Sequence, residues 1–391
     1  MSGITDEISI VIGSVKIIGW ETVNITRSVE SFPNSFVLTA SDQFPGDPAR
    51  ATVPIEGPGQ VCQVFIGGDL VITGFVDRYT ISVGPRQHIV TISGRGICQD
   101  LADCSADLAE TPDLLGATIS ATDTLDLAQK LCKPFKLNAR LAVADHGKPV
   151  KQLTIQLGET AYEIIERVAR YAGYLVYEDE LGALVLDRVG TQQMASGFSM
   201  PGNIEGAVSS LSIDQRFSRY TVVWQSVAQY GEINPLGNQR ADVIDPTMAN
   251  RYRPRIIVSE QIDPDADYAT ARANWELARR IGRSQAVQLT CDSWRDAAGQ
   301  LWQPNYLAPI DAPALKIGNK VYGPTVKPGG LLWIIGTVTF RRDQSGTHAD
   351  ITLMPPDAFN PEPAPLFLWD RQFTHDLAAN NAASPGMLGH V

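Results

Sequence analysis

Three glutamates within eight residues are the first side chains in this sequence that could do chemistry. Glu159, Glu163 and Glu166 could supply the acid pair of a glycoside or cell-wall hydrolase, one carboxyl group protonating the leaving group and another assisting the attack. Such a pair must face a cleft from separate, rigid positions. Here the acids crowd one predicted helix start, where negative charge favours the helix dipole, so the sequence favours a capping role over catalysis.

Other catalytic and metal-binding patterns are missing from the sequence. It contains no G-x-S-x-G elbow, no P-loop and no G-x-G-x-x-G fingerprint, and the Gly-Lys pair after His146 predicts only a turn. No cysteine lies at ligand spacing to a histidine. We therefore predict no enzyme and no catalytic, cofactor-binding or metal-binding residues. The histidines are widely dispersed, at His88, His146, His348, His375 and His390.

Tryptophans and arginines could instead bind a sugar or a nucleic acid. The tryptophans sit mostly in strand patterns or beside glycine and proline, which favours core and subunit contacts over ligand stacking. The arginine-rich segment 251–283 is interleaved with acids, which favours subunit contact or solvation over a nucleic-acid patch. The seven tryptophans are Trp20, Trp224, Trp275, Trp294, Trp302, Trp333 and Trp369.

The glutamates belong to the clearest local fold signal of the chain, at residues 153–187. Leu153–Leu157 alternates like a strand, and Thr160 with Glu163 forms an S/T-x-x-E capping box at a helix start. Apolar residues then recur at helical spacing until Gly173, which predicts the left-handed C-cap. Two short strands follow around a turn that contains Gly182. The stretch predicts a strand, an amphipathic helix and a hairpin.

The composition is that of a folded protein with several domains. The 391 residues predict two to four domains, and 44% apolar and 19% charged residues are typical of soluble proteins. No apolar run reaches membrane-spanning length, and the acidic N-terminus predicts no export signal. Five scattered cysteines predict reduced thiols. The net charge of −11 argues against holding nucleic acid by counterion release, though not against nucleic acid passing nearby.

The region before this central unit predicts β-structure and then an acid-rich segment. Residues 97–129 contain seven acids and no Lys or Arg, which predicts a solvated surface or, as an alternative, a wall that faces the interior of an assembly. A helix is predicted at Thr124–Leu131 with Asp123 as its N-cap. Six strands without a helix suggest a small barrel or sandwich, with predicted bounds Ile8–Ile12, Thr22–Val29, Ser35–Ala40, Val61–Ile66, Leu70–Val83 and His88–Ser93.

The region after the central unit returns to β-structure with one helix. Tyr268–Gly282 is predicted to be helical, and residues from Pro355 onward are predicted to form an extended or disordered tail. Val208–Val227 is predicted to return to β-structure, with SIDQRFSRYTVVWQ as its core. The predicted strands are Ile256–Glu260, Gln285–Cys291, Asn305–Ile310, Leu315–Val321, Leu331–Arg341 and His348–Leu353.

Two stretches read as the same long hairpin, which predicts a duplicated β-module. LVITGFVDRY precedes a Gly-Pro turn and QHIVTIS, while LWIIGTVTFR precedes a Ser-Gly turn and THADITL. Each has a glycine five residues into its first strand, Gly74 and Gly336, and a histidine opening the return strand, His88 and His348. Glycine weakens a strand interior, so its repetition suggests a shared bend or a close backbone contact. Any two long hairpins could also be aligned in this way.

Seven motifs in order resemble the baseplate hub proteins of Mu-like contractile phage tails. They extend over residues 5–360, and the sequence beyond about Pro361 matches no pattern of that family. The motifs are Gly19-Trp20 with SVESFPNSFVLTASD, GRGICQDLADCS, IQLGETAYEIIERVARYAGYLVYEDELGALVL, DQRFSRYTVVWQ, RYRPRIIVSE, ARANWE and SWRDAAGQLWQPN.

The resemblance implies a mainly β fold with α+β accessory domains and two tail-tube-like β-barrels per chain. Three chains would form a homotrimeric, pseudo-hexameric ring that adapts a six-fold tail tube to a three-fold central spike. Implied partners are the tube protein or a tube-proximal baseplate protein, a separate trimeric spike protein and other baseplate proteins. DNA would pass in transit without specific binding, and no membrane insertion is implied. The related hubs of contractile secretion systems share this plan.

Patterns and resemblance together predict four parts of the chain. Residues 1–95 form the first barrel and 96–190 the α+β accessory domain. Residues 191–355 form the second, discontinuous barrel with an inserted segment at about 231–283, and 356–391 form the tail. The protein is expected in the virion tail baseplate after assembly in the bacterial host cytoplasm. The alternatives from other classes are a tail-associated cell-wall hydrolase and a wall-binding module.

Overall fold

The computed structural model describes residues 6–41, 57–85, 87–110, 118–145, 150–224, 239–248, 250–258, 266–317 and 331–361. The chain divides into two compact units by its contacts. The first unit comprises residues 1–210 and 286–356, and the second comprises residues 211–285 and 357–391. Most of the predicted loop between the third and fourth strands lies outside the described residues.

The N-terminal part of the first unit is a run of β-strands. All six predicted strands are confirmed, and their observed ends lie within a few residues of the predicted ones. An additional short strand at Val15–Ile17 is not among the predictions. The strands are β1 (Ile8–Ile12), β2 (Val15–Ile17), β3 (Thr22–Ser28), β4 (Ser35–Ser41), β5 (Val61–Ile66), β6 (Asp69–Gly84) and β7 (Gln87–Gly96).

Strand β4 illustrates why these segments form a one-sided sheet. Phe36, Leu38 and Ala40 are buried, whereas Val37 between them is 42% exposed. Because side chains alternate across a strand, one face of β4 meets the core and the other meets solvent. Burying a Phe or Leu side chain stabilises the folded state by about 1.5–3 kcal/mol, so this alternation fixes the register of the strand.

An α+β segment follows β7 in the first unit. The hairpin β11–β12 is antiparallel and β9 joins it in parallel, while β8 and β10 form a separate antiparallel pair. The elements are α1 (Gln99–Asp103), β8 (Thr118–Thr122), α2 (Thr124–Cys132), β9 (Ala139–Leu141), β10 (Val150–Thr154), α3 (Ala161–Ala172), β11 (Leu175–Glu178) and β12 (Leu184–Asp187).

Both predicted helix starts in this segment are confirmed. The Asp123 carboxylate accepts the backbone N–H of Leu125 at the start of α2. At the start of α3, the Thr160 hydroxyl accepts the Glu163 N–H at 3.1 Å, and the Glu163 carboxylate accepts the Thr160 N–H at 2.9 Å. Gly173 ends α3 in the left-handed region with φ 76°. This geometry is the capping box and glycine C-cap that the sequence predicts.

The predicted strand Leu153–Leu157 is only partly correct. Strand β10 ends at Thr154, and Leu157 is 89% exposed at a turn whose next residue, Gly158, has φ 95°. The Glu159 carboxylate accepts the Gln156 N–H at 2.9 Å and closes this turn. A local side-chain bond therefore replaces the ladder bond that a longer strand would need.

The remaining elements return to β-structure, as predicted. They are β13 (Gln192–Gln193), β14 (Phe198–Ser199), β15 (Ile204–Leu211), β16 (Arg219–Trp224), β17 (Gln239–Ile244), β18 (Pro254–Val258), α4 (Ala266–Arg283), β19 (Gln285–Cys291), β20 (Tyr306–Asp311), β21 (Leu331–Asp343) and β22 (Gly346–Met354).

Two of the later β predictions are only partly correct. The predicted β-region Val208–Val227 contains the end of β15, at Leu211, and β16, which begins at Arg219; residues 212–218 between them are not a strand, and residues 225–227 lie outside the described part. In the predicted strand Leu315–Val321, the first residue ends a 3-10 turn, Pro313–Leu315. Proline favours such a turn and cannot donate to a strand ladder. Residues 318–321 lie outside the described part.

One sheet joins most strands of the first unit. Its described strands follow the order β15-β19-β22-β21-β3-β4-β7-β6-β5-β1-β2, with β20 beside β21 and with β13 and β14 beside β20. The N-terminal strands and the later strands meet where β3 pairs with β21, from Thr337 opposite Ser28 to Arg342 opposite Val23. The sheet is therefore continuous between the two β regions, and the two separate barrels remain a prediction.

The second unit has its own small core. Strand β16 lies between antiparallel β17 and parallel β18, and α4 packs on this sheet through Ala269, Ala273 and Leu277. Tyr220 and Val222 of β16 are fully buried against the helix. The predicted helix Tyr268–Gly282 is thus confirmed and slightly longer. No helix within the described ranges is long and apolar enough to cross a membrane.

The first residues of the predicted tail are packed in the second unit. Pro356–Ala358 forms a 3-10 turn, and Ala358 and Phe359 are 0% and 2% exposed. The Asn360 carbonyl accepts bonds from Trp275 Nε1 at 2.9 Å and from an α4 arginine at 2.8 Å. An extended or disordered conformation is therefore wrong for residues 356–361. Residues 362–391 lie outside the described part.

Candidate functional site

The three glutamates that could have formed a catalytic pair have structural contacts. Glu163 caps α3, and Glu166 forms an ion pair with Arg170 one turn later at 3.0 Å. Glu159 pairs with Arg167 at 2.8 Å in addition to its turn bond. Each carboxylate is thus engaged by a neighbour on the same helix or turn. The contacts support the capping interpretation and give no arrangement of two acids across a cleft.

The histidines within the described residues do not form a metal site. His348 Nδ1 lies 2.6 Å from the carboxylate of Glu205, a residue of β15. His88 stands in the ladder opposite Val83. No group of three or more His, Cys, Asp or Glu side chains in this part of the chain could hold a metal ion. His146, His375 and His390 lie outside the described residues.

The tryptophans lie mainly in the core. The indole of Trp294 donates to the His348 carbonyl at 2.8 Å, and that of Trp302 donates to the Ser293 carbonyl at 2.8 Å. A buried indole that has a backbone partner is a packing residue rather than an exposed sugar platform. The core prediction is confirmed for four of the seven, which are Trp20, Trp294, Trp302 and Trp333.

The arginines of α4 bind neighbouring groups of the second unit. The buried Glu276 carboxylate pairs with Arg272 at 3.2 Å and with Arg280 at 2.8 Å. Arg283 donates to the Ala358 carbonyl at 3.2 Å. These contacts connect α4 to residues 357–361 and give Glu276 partners of opposite charge. The sequence interpretations of subunit contact or plain solvation therefore miss the internal role of these side chains.

All five cysteines are unpaired, as predicted. Cys104 is exposed and the other four are buried. Burial raises the pKa of the Cys132 thiol to about 12 and that of the Cys291 thiol to about 11, because the apolar surroundings disfavour the thiolate. Protonated, enclosed thiols of this kind are packing groups rather than nucleophiles.

The described acids of the 97–129 segment lie at the surface or half-buried. Asp103 forms an ion pair with Arg95 at 2.8 Å, and Arg95 also binds Asp77 at 2.7 Å. This exposure agrees with a solvated surface. The described members are Asp100, Asp103, Asp107, Glu110, Asp123 and Asp126.

A buried carboxylate joins the hairpin β11–β12 to the N-terminal strands. Glu178 is 3% exposed, and its two oxygens accept the backbone N–H groups of Cys98 at 2.9 Å and Asn34 at 3.3 Å. A Cβ atom on Gly96 would lie 1.8 Å from this carboxylate, so any other residue there would displace it from its present position. Desolvation raises the pKa of Glu178 to about 7, although the two N–H donors and Arg27 act in the opposite direction.

A second polar cluster joins β12 to strands β20 and β21. The Asn305 side chain donates to the Asp187 carboxylate at 2.9 Å and accepts the Gly190 N–H at 3.0 Å. Tyr177 donates to the same carboxylate at 2.7 Å. Asn305 has φ 65°, a left-handed conformation that Asn tolerates better than most residues. Strand β20 therefore begins one residue later than predicted, and Asn305 serves as a cross-link.

Neither cluster could be predicted from the sequence, because Glu178 and Asn34, and likewise Asn305 and Asp187, lie far apart along the chain. Buried acids with raised pKa values often mark catalytic sites. Here both Glu178 oxygens are occupied by backbone donors, and Asp187 is held by Tyr177 and Asn305. Chemically, these bonds fix the segment that contains β11 and β12 onto the large sheet.

The two predicted hairpins occupy equivalent places in the sheet. Hairpin β6–β7 is flanked by β5 and β4, and hairpin β21–β22 is flanked by β20 and β19. Each long strand contains one extra residue, Asp77 in β6 and Gly336 in β21, where the register with the return strand shifts. Such β-bulges bend a strand locally. Four consecutive strands thus repeat with the same order and the same bulge.

Aligning the two bulges makes the buried residues coincide. Ile92 of β7 then corresponds to Ile351 of β22, and both are almost fully buried. Their partners in the flanking strands, Leu38 and Leu289, are buried as well. The predicted repeat is confirmed at the level of strand pairing. We name the two groups of strands the N-module (β3 to β7) and the C-module (β15 and β19 to β22).

The alignment predicted from the glycines is wrong by three residues. Gly336 is the bulge residue of β21, whereas Gly74 lies three positions before the bulge of β6. Gly74 stands opposite Gly96, and a Cβ atom there would lie 2.1 Å from the Arg95 carbonyl oxygen. One glycine therefore permits a bend and the other a close backbone contact. Sequence spacing alone could not separate these two uses of glycine.

Three protein-family models match the chain, and all describe baseplate proteins. Residues 7–96 match the N-terminal model of Mu phage baseplate assembly proteins that are GpP-like. Residues 98–188 match the second domain of gp44-like baseplate hub proteins. Residues 265–362 match the fourth domain of the Mu phage baseplate assembly protein GpP.

Whole-chain relatives agree with these models. The chain is 28% identical over 356 residues to baseplate hub protein gp44 of Escherichia phage Mu, which covers 87% of this chain and 86% of that protein. It is similar to the crystal structure of the 43 kDa tail protein of prophage MuSo2 from Shewanella oneidensis, with TM-score 0.76, 30% identity and coverage of 90% and 99% of the two chains. A type VI secretion system component of E. coli shares the fold at TM-score 0.52 and 10% identity, with 88% and 76% covered.

Proposed function

The chain belongs to the family of Mu-like phage tail baseplate hub proteins, and on that premise we propose that it forms a trimeric ring that adapts the tail tube to the central spike. In this proposal the copies enclose part of the conduit for DNA. The protein then resides in the baseplate of the virion tail, after assembly in the host cytoplasm.

The observation that supports this proposal best is the repeated strand module. The N-module and the C-module share strand order, bulge position and buried residues. If each module completes a tube-like barrel, three chains present six similar faces. Such a ring fits a six-fold tube on one side and a three-fold spike on the other, because three-fold symmetry is contained in six-fold symmetry.

The proposed four-part organisation assigns each region a place in this ring. Residues 1–95 and the discontinuous 191–355 supply the two barrels, and 96–190 form the accessory domain. The inserted segment lies within the second compact unit, whose first part spans residues 211–285. The family models, which meet between residues 96 and 98, support the first of these boundaries.

The proposed partners follow from the position of a hub. They are two further copies of this chain, the tube protein or a tube-proximal baseplate protein, a trimeric spike protein and other baseplate proteins. DNA passes in transit without specific binding, in keeping with the net charge of −11, because an acidic wall repels phosphate. The proposal includes no membrane insertion.

The proposal assigns this chain no catalytic, cofactor or metal site. The acids nearest to a hydrolase pattern act in a helix cap and in ion pairs, which opposes the alternative of a cell-wall hydrolase. Zymography on peptidoglycan tests this point with wild type and Glu163→Gln, a change that keeps the capping box because glutamine can replace glutamate there. We expect no clearing by either protein; clearing that disappears in the variant would overturn the assignment.

The trimeric hub itself is tested by mass. We expect native mass measurement of the purified chain, alone and after co-expression with the spike protein of the same tail, to give a species of three copies. A chain that remains monomeric in both preparations and does not bind the spike would contradict the proposal.

A further inference from the structure

Strand β21 pairs with β22 on one side and with two different strands along its other side. Before the bulge it pairs with β20, from Leu331 to Ile334. After the bulge it pairs with β3, from Thr337 to Arg342. The second half is the seam by which the C-module joins the N-module. Every residue of this half of β21 therefore has a strand on both sides.

Strand β6 follows the same plan but lacks the second neighbour. Before its bulge it pairs with β5, from Asp69 to Phe75. After the bulge it pairs with β7, and among the described residues no strand lies along Thr80–Val83 on the opposite side. We name Thr80–Val83 the open edge of β6. An unpaired edge of this kind offers N–H and C=O groups for pairing with another strand.

Ile81 of the open edge occupies a position that is buried in the C-module. With the bulges aligned, Ile81 corresponds to Phe340. Phe340 is 0% exposed at the seam with β3, whereas Ile81 is 51% exposed. Val83, which is 73% exposed, corresponds to the half-buried Arg342. At Ile81, the open edge thus exposes an apolar side chain at a position that the seam buries.

Strand β15 of the C-module corresponds to β3, the strand that covers the seam within the chain. In the N-module, β3 pairs with β4 and seals the seam; in the C-module, β15 pairs with β19, the strand that corresponds to β4. Strand β15 ends the sheet, and no described strand flanks its outer side. Val208 of β15 is 64% exposed. Among the described strands there is therefore one open edge of each kind, on β6 and on β15, which correspond to the two strands of the internal seam.

We propose that the open edge of β6 in one copy pairs with β15 of a second copy, repeating between chains the β3–β21 seam within each chain. This inference rests on the proposed ring and identifies the strands that close it. The contact is head-to-tail, because β6 of one copy meets β15 of the next. Such contacts form a ring when the rotation that relates successive copies closes after a full turn. Within the chain the seam also carries hydroxyl contacts, Thr26 to Thr339 at 3.0 Å, and Thr80 occupies the position of Thr339.

A charge on the open edge tests the pairing. Ile81→Asp places a carboxylate where the seam would bury it, at a site that is half-exposed in the single chain. We expect loss of the three-copy species in native mass measurement and a monomer that is folded by circular dichroism. The matched control is Val61→Asp on β5, which is 52% exposed and lies outside the seam. We expect this control to keep the trimer.

The outcomes separate this pairing from the hub proposal. A trimeric wild type together with a trimeric Ile81→Asp variant overturns the seam and leaves the ring intact. A wild type that is monomeric both alone and with the spike protein overturns the ring and the seam together. If Ile81→Asp instead unfolds the chain, as judged by circular dichroism, while Val61→Asp remains folded, another part of the same chain covers the edge, and the proposal is wrong.

Disulfide trapping gives an independent readout. The exposed Cys104 is first replaced by serine. In this background, Thr80→Cys is combined in turn with Val208→Cys and with Ser210→Cys. Residues that lie opposite each other on paired strands are close enough to form a disulfide. We expect one combination to give covalent dimers and trimers on a denaturing gel under oxidising conditions. Val61→Cys with the same partners serves as the control and should remain monomeric. Absence of cross-linked species in both combinations, while the native particle is trimeric, would reject the seam.

Discussion

The Glu178 side chain joins two parts of the fold, and its contribution to the free energy of unfolding depends on pH. Its carboxylate bonds to the backbone at Cys98 and Asn34, which belong to segments far apart in the sequence. Burial outweighs these bonds and raises its pKa to about 7 from 4.5. The native state therefore holds a proton over a range in which the unfolded chain has released it.

Glu178→Gln should flatten part of the pH dependence of stability. Between about pH 4.5 and about pH 7, the wild-type free energy of unfolding should fall as pH rises, because only the native state keeps the proton. The full effect is on the order of 3 kcal/mol, since one pKa unit corresponds to about 1.4 kcal/mol. Chemical denaturation at about pH 5 and about pH 8 measures the difference.

The exposed Glu110 provides the control for this measurement. Glu110→Gln should leave the wild-type pH dependence in place, because the Glu110 side chain is exposed to solvent and lies far from Glu178 in the sequence. An equal loss of stability between the two pH values in wild type and in Glu178→Gln would contradict the role given to Glu178.

At the residue scale, the sequence predicts only contacts between near neighbours. The Thr160–Glu163 box could be identified because both partners lie within one helical turn. The bonds of Glu178 to Asn34 and of Asn305 to Asp187 join residues more than a hundred positions apart. No local pattern signals such pairs, so these two clusters emerged only from the fold.

At the element scale, α3 is the best-defined prediction, and its stability depends on burial. Ile164, Ile165 and Val168 are at most 1% exposed and pack in the core of the accessory segment. A helix of this length is marginal in water alone, so its apolar stripe must supply most of its stability. The capping box and Gly173 fix where the helix begins and ends.

Ile165→Asp should destabilise the protein by several kcal/mol. The substitution would bury a charge without a partner and remove apolar contacts from the core around α3. Glu166→Gln on the same helix is the matched control and should cost less than about 1 kcal/mol, because its ion pair with Arg170 is partly exposed. Thermal unfolding of both variants checks this, and equal melting temperatures would show that α3 does not depend on this buried stripe.

Strands were easier to predict than their register. Alternation located β1, β5 and β19 with the observed bounds, because one face of each meets the core. The bulges at Asp77 and Gly336 leave no comparable signal, since any residue can occupy an extra position in a strand. The glycine-based alignment of the hairpins therefore failed in detail, although the repeat itself is real.

At the scale of the whole molecule, repetition within the chain is the central feature. The N-module and C-module are joined by the β3–β21 seam, and each retains one open edge. Composition could not predict this arrangement, since it contains no information on strand pairing. The resemblance to baseplate hub proteins implies a ring, and the open edges of β6 and β15 are the strands that could close it.

A three-dimensional reconstruction of the purified particle by electron cryo-microscopy would show directly whether three chains form the proposed ring. We expect three copies around one axis, with N-modules and C-modules alternating as six similar faces and β6 beside β15 at each junction between copies. Copies without rotational symmetry, or modules that do not alternate around the axis, would show that no such ring forms.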